Sequence, residues 1–154
     1  MIEAWHRYRR LTGTDRTVVL EAAAALPAIS IAIRLGGFRV CKAALKDSRA
    51  RSNADANAAG TLEAAQRIAR LEAATARNLF FRATCLEQSL VLRWLLRRRG
   101  MNADLRIGAR KEADRFEAHA WVELNGAVLD GGDSEHLHFV PFKNIETSME
   151  TQTH

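Results

Sequence analysis

Carboxylates are scarce in the middle of this 154-residue chain and cations at its end: residues 76–115 carry 10 Lys/Arg against 4 Asp/Glu, residues 116–154 carry 1 against 7. Cysteine is scarcer still. Only Cys41 and Cys85 are present, without CxxC spacing, which excludes a disulfide framework and a cysteine-based zinc site. A reducing cytoplasm is the compartment expected. Long apolar runs are missing too. The longest charge-free stretch, residues 22–33, contains Pro27 and falls short of the roughly 20 residues needed to cross a bilayer, so no transmembrane segment is expected. The start, MIEAWHRYRR, lacks an apolar core followed by a small-residue cleavage site, so no signal peptide is expected either. There is no zinc-finger spacing and no interleaving of aromatic with basic residues. Arg97, Arg98 and Arg99 close a helix, where cations complement the dipole. No nucleic-acid partner is expected despite the net charge of +5.

What is present suits a single folded core with an appended helical segment: 47% hydrophobic and 27% charged residues. The expected division is an N-terminal helical segment and linker over residues 1–58 and the main domain over residues 59–154. Residues 17–46 read as helical, with breaks at Pro27 and at Gly36-Gly37. Their apolar surface extends nearly all round, and such a face is packed in the core or offered to a partner. Residues 48–60, SRARSNADANAAG, lack large apolar side chains and read as a loop. Helical spacing returns over residues 61–80, and a further helix begins at Cys85, with Leu86, Leu90, Trp94 and Leu95 as its buried stripe and Gly100 just past its end. The period then changes from helical to alternating. ADLRIGAR and FEAHAWVEL each bury every second residue, and Asn125-Gly126 marks a tight hairpin turn. Helices followed by an antiparallel meander define an α+β fold.

Chemistry concentrates at RATCLEQSLVLRWLLRRRG. Thr84 and Glu87 have the spacing of a capping box, which places Cys85 in the first turn of a helix. Partial positive charge at that end favours a thiolate, and the unpaired N–H groups there suit an oxyanion. If Leu124 pairs with Ala127 across the hairpin turn, then Trp121 stands opposite Asp130, and His119, Trp121 and Asp130 share one face. Asp130 is then the diagonal neighbour of His119, whereas Asp133 has the wrong parity. Cys85, His119 and Asp130 thus supply a nucleophile, a base and an orienting carboxylate. A competing use of the same atoms is a metal site in which His136 and His138 join His119, Asp130 or Cys85. The triad is preferred, with no metal and no cofactor expected.

The stretches RATCLEQSLVLRWLLRRRG, ADLRIGARK, FEAHAWVEL and AVLD resemble the transglutaminase-like cysteine proteases of lasso-peptide biosynthesis, in the form whose leader peptidase is separate from the leader-binding module. The likeness runs over about residues 60–142. It implies a papain/transglutaminase-like core in which a cysteine-bearing helix packs on a small antiparallel sheet. It implies Cys85 as nucleophile, His119 as general base and then acid, and Asp130 as orienter. Thr84, Leu86 and Trp121 are candidates for substrate or oxyanion contacts, with Asn78, Arg82 and Gln88 as polar neighbours. The implied substrate is the leader region of a ribosomally made precursor peptide. The implied partners are a leader-binding recognition protein and the lasso cyclase. Two other readings use the same residues: a transamidase or other acyltransferase with the same triad, and a non-catalytic peptide-binding scaffold.

Overall fold

The computed structural model describes residues 11–37, 58–112, 115–129 and 140–141. Three helices are followed by four strands among these residues: α1 (Gly13–Gly36), α2 (Ala58–Asn78), α3 (Cys85–Arg97), β1 (Asp104–Glu112), β2 (Arg115–Leu124), β3 (Ala127–Leu129) and β4 (Val140–Pro141). The strands form one antiparallel sheet in the order β3-β2-β1-β4. The α+β architecture expected from the sequence is the one observed.

Each helix boundary has a local cause. α1 opens on its own capping box, in which Thr12 and Asp15 bond each other's backbone. It therefore starts before residue 17, and it ends at the expected Gly36-Gly37 break, where Gly37 takes a φ of +50°; the rest of the stretch read as helical, residues 38–46, lies outside the described residues. Pro27 lies inside it without dividing it. α2 begins at Ala58, three residues inside the stretch read as a loop, because Ala58, Ala59 and Gly60 join the first turn. α3 ends as expected at Gly100, whose φ is +76°. Gly100 N–H donates to Arg97 and Met101 N–H to Leu96, each at 3.0 Å, the paired bonds of a Schellman motif.

Val18, Ala22 and Leu26 of α1, Ala65, Ile68, Ala69 and Ala76 of α2, and Val91, Leu92, Leu95 and Leu96 of α3 share one core with Val122, Leu124 and Leu129 of the sheet. α1 thus belongs to the same core as the helix that carries Cys85. Trp94 departs from the expected buried stripe: it is 42% exposed, and the Arg98 guanidinium one turn later lies over its ring at 5.1 Å. At 24 residues α1 also outruns its charge-free run, and by length and composition alone it is sufficient to cross a membrane.

Candidate active site

The capping box at Cys85 forms as its spacing predicts. The Glu87 carboxylate accepts from Thr84 N–H at 2.7 Å, and Glu87 N–H donates to the Thr84 hydroxyl at 3.3 Å. Gln88 N–H goes to the Thr84 carbonyl. These bonds use the N–H groups of Thr84, Glu87 and Gln88; those of Cys85 and Leu86, in the first turn, are among the groups that a helix leaves without an intrahelical acceptor. Thr84 therefore acts as the cap. The backbone of Leu86, rather than its half-buried side chain, is the part suited to an anion. Two polar neighbours are already engaged: the Gln88 amide donates to Ala83 O at 3.0 Å, and the Asn78 amide to Ala74 O at 2.7 Å. Arg82 is exposed.

Sequence reading missed the residue that fixes α3 against the sheet. Ser89 lies one turn beyond Cys85 on the same helix face. Its buried hydroxyl donates to the Ala120 carbonyl at 2.9 Å. A small hydroxyl within a leucine-rich helix, four residues after the cysteine, was the available signal. Through this bond the head of α3 is anchored beside the residue that follows His119. Arg93, also buried, donates to the Ala103 carbonyl at 3.2 Å and secures the far half of the helix to the start of β1.

The hairpin is the one expected. Asn125 and Gly126 have φ of +52° and +81°, the two positive values of a type I′ turn. Leu124 pairs with Ala127, Glu123 with Val128 and Val122 with Leu129. Asp130 lies outside the described residues, as do Cys41, Asp133, His136 and His138. On the other side of β2, His119 stands opposite Gly108, which in turn pairs with Pro141 of β4.

His119 is half-buried and its ring stacks on Trp121 of the same strand face, with centroids 6.2 Å apart and planes inclined by 19°. The Trp121 indole N–H donates to Glu123 Oε1 at 2.9 Å, and Glu123 Oε2 accepts from Arg106 Nε at 2.9 Å. Trp121 is thereby a platform for the imidazole, and its donor is committed to Glu123. Cys85 is partly buried against the cluster of Leu90, Leu105 and Ala120. Side chains alternate along β2, so the thiol meets the helix-facing side of the strand, while His119 and Trp121 issue from the other. The structure brings Cys85 to the residue adjoining His119.

A half-buried thiol thus stands at a capped helix head, beside a histidine-bearing strand. Residues 22–144 match the family model of the transglutaminase-like superfamily, and the chain belongs to that superfamily. The superfamily includes cysteine proteases and transglutaminases, and its members are typically cysteine-dependent enzymes. No curated protein and no solved structure matches the chain.

Proposed function

We propose that the chain is a cysteine peptidase that removes the leader from a ribosomally made lasso precursor peptide, acting in the cytoplasm with a leader-binding protein and the lasso cyclase. The observation that carries the peptidase part is the placement of Cys85 one turn ahead of the Ser89–Ala120 bond, with two N–H groups left at the helix head beside it. The resemblance of RATCLEQSL, HAWVE and AVLD to lasso leader peptidases supplies the substrate class.

In the reaction His119 takes the proton of Cys85, and the thiolate attacks the scissile carbonyl while the N–H groups of Cys85 and Leu86 receive the developing oxyanion. His119 transfers a proton to the departing amine as the C–N bond breaks, leaving a thioester on Cys85. A water, deprotonated by the now neutral His119, attacks that thioester; the C–S bond breaks, the leader leaves as a carboxylate and Cys85 leaves as the thiolate beside a protonated His119. Asp130 holds the imidazole and stabilises its charged form. In the free protein the thiol meets the helix-facing side of β2 while the imidazole issues from the other, so this sequence of steps requires that substrate binding bring the imidazole round to the thiol.

The test is to incubate the protein with a candidate precursor and its leader-binding partner and to read the products by mass spectrometry. Cleavage at the leader–core junction, with water added, supports the proposal. Loss of ammonia with an amine incorporated assigns a transamidase instead. Tight peptide binding without any turnover assigns a scaffold.

A further inference from the structure

The bend between α2 and α3 alternates its side chains along the path that leads to Cys85. Leu79, Phe81 and Ala83 turn inward and pack on the core, while Phe80, Arg82 and Thr84 are exposed. Among the described residues Phe80 is the most exposed large apolar side chain, at 93%. Its ring is held all the same: it meets the half-buried Phe81 edge-on, with centroids 5.2 Å apart and planes at 66°. The end of the bend is fixed as well, since the Gln88 amide donates to the Ala83 carbonyl and Thr84 N–H to Glu87. An aromatic ring is thus offered to solvent five residues ahead of Cys85, at most about 17 Å away along the chain.

The charge around this ring has one sign. Arg82 follows it in the bend, and Arg77 and Arg70 lie two turns apart on α2, hence on one face and about 10 Å from each other. All three are exposed, and among the described residues none makes an ion pair. The carboxylates of the surrounding elements are engaged elsewhere. On α2 itself Glu63 lies in the field of Arg67 and Glu72 is buried, and on α3 Glu87 is bonded to Thr84. On α1 Asp15 holds Arg67, and Glu21 holds Arg98 and Arg99. β3, which also packs on α2, has no charged residue. Cations without counter-charges of their own attract an anionic ligand.

We propose that Phe80, Arg82, Arg77 and Arg70 take an acidic stretch of a peptide substrate, one that carries an apolar side chain within about five residues of the bond presented to Cys85. An extended peptide advances about 3.3 Å per residue, so about five of its residues cover the path from Cys85 to Phe80. Arg77 and Arg70 continue the surface along α2. For its class of ligand this inference rests on the reading of Cys85 as a peptidase nucleophile. A peptide rather than a nucleic acid is the occupant because the surface adjoins that thiol, and its lone outward ring provides no succession of platforms for stacked bases.

The test uses the Cys85→Ala chain and short synthetic peptides labelled with tetramethylrhodamine, in which Asp and Glu flank one Phe, read by fluorescence anisotropy. The acidic peptide should bind about tenfold more tightly than its counterpart with Asn and Gln in place of the acids, and binding should weaken as salt is raised. Phe80→Ser should lower affinity about tenfold, and Arg77→Gln and Arg82→Gln about threefold each, with circular dichroism unchanged. Arg97→Gln, at the opposite end of α3, should leave it as it was. Equal affinity for the acidic and neutral peptides, or affinity indifferent to the Phe80 and Arg82 variants, overturns the proposal. So does tighter binding of a single-stranded oligonucleotide, which would assign the surface to nucleic acid. Incubation of the same peptides with the unsubstituted chain separates the two readings. Binding through these residues without cleavage keeps the surface and removes the peptidase; cleavage indifferent to these variants does the reverse.

Discussion

The imidazole of His119 rests on the indole of Trp121, 6.2 Å between centroids and 19° from parallel, and that indole is itself held by Glu123. The histidine on which the proposed chemistry depends is thus oriented by an aromatic plane with a fixed donor. Trp121→Phe keeps a ring and removes the bond to Glu123. It should lower kcat several-fold with KM little changed. Trp121→Ala empties a site that is 6% exposed and should cost about 3–5 kcal/mol in denaturant unfolding. Wild-type turnover in both variants would show that the stack has no positioning role.

Cys85→Ala should reduce turnover to background while leaving thermal unfolding nearly unchanged, since the sulfur is half-buried and little volume is lost. Cys41→Ala should retain activity. Alkylation by one equivalent of iodoacetamide, mapped by peptide mass spectrometry, should inactivate the enzyme through Cys85. The reverse pattern would move the nucleophile.

Asp130→Asn should lower turnover by roughly 10² to 10⁴, the range spanned by general acid–base and triad substitutions. Asp133→Asn should have little effect. The observed pairing of Val122 with Leu129 carries the expected register to the position just before Asp130. Equal losses in the two variants would remove Asp130 from its proposed role.

Ser89→Ala leaves the Ala120 carbonyl without its side-chain donor in a buried setting. The expected loss of stability is about 1–3 kcal/mol by urea titration. Turnover should fall further than KM rises, because the head of α3 loses its tether beside His119. Ser89→Thr, which keeps the hydroxyl, should recover most of the turnover; failure to do so would mean that packing, not the bond, sets the position.

Glu72 gives a pH-dependent signature. Burial pushes its carboxyl up to about 8, against a weaker opposite pull from Arg77, and its Oε1 has no hydrogen-bond partner. An unfolded glutamate titrates near 4.3. Between those values the folded state holds a proton that the unfolded state has released, so stability falls as pH rises through this window. Glu72→Gln should flatten that decline and stabilise the fold at pH 8 by on the order of a few kcal/mol, read as a higher Tm. A lower Tm for the variant at pH 8 would show that the carboxylate is accommodated.

The parts of the fold governed by local chemistry were legible in the sequence. Thr84 with Glu87, Asn125-Gly126 and Gly100 each solve a backbone problem within a few residues, and each appears where its spacing predicts. Thr12 with Asp15 solves the same problem with the shorter acid, and a search for Glu or Gln at the third position passes over it. The start of α1 was misread for that reason, whereas its end at Gly36-Gly37 was read from the glycine pair. Trp94 looked buried because the arginine that covers it is one turn away on the surface. For the site, hairpin parity gave the shared face of His119 and Trp121 correctly. Which face the helices cover depends on long-range packing at Leu105, Ala120 and Val122, and so the side of β2 that meets Cys85 was not readable from spacing.

His119 is carried by an interior strand, with β1 on one side and β3 on the other. The stretch of β2 paired on both sides is Val122–Leu124, whose backbone is among the last parts of the molecule to open by local fluctuation and whose amides belong with the slowest to exchange with deuterated solvent. His119, the proposed base, lies three residues before that stretch, on the β1 ladder opposite Gly108. Adjustment to a substrate then falls to the thiol, to the imidazole torsions and to the short strands β3 and β4 at the sheet margins. Specificity is accordingly easier to alter by changes at those margins than by changes within β2, where an altered residue would disturb two ladders at once.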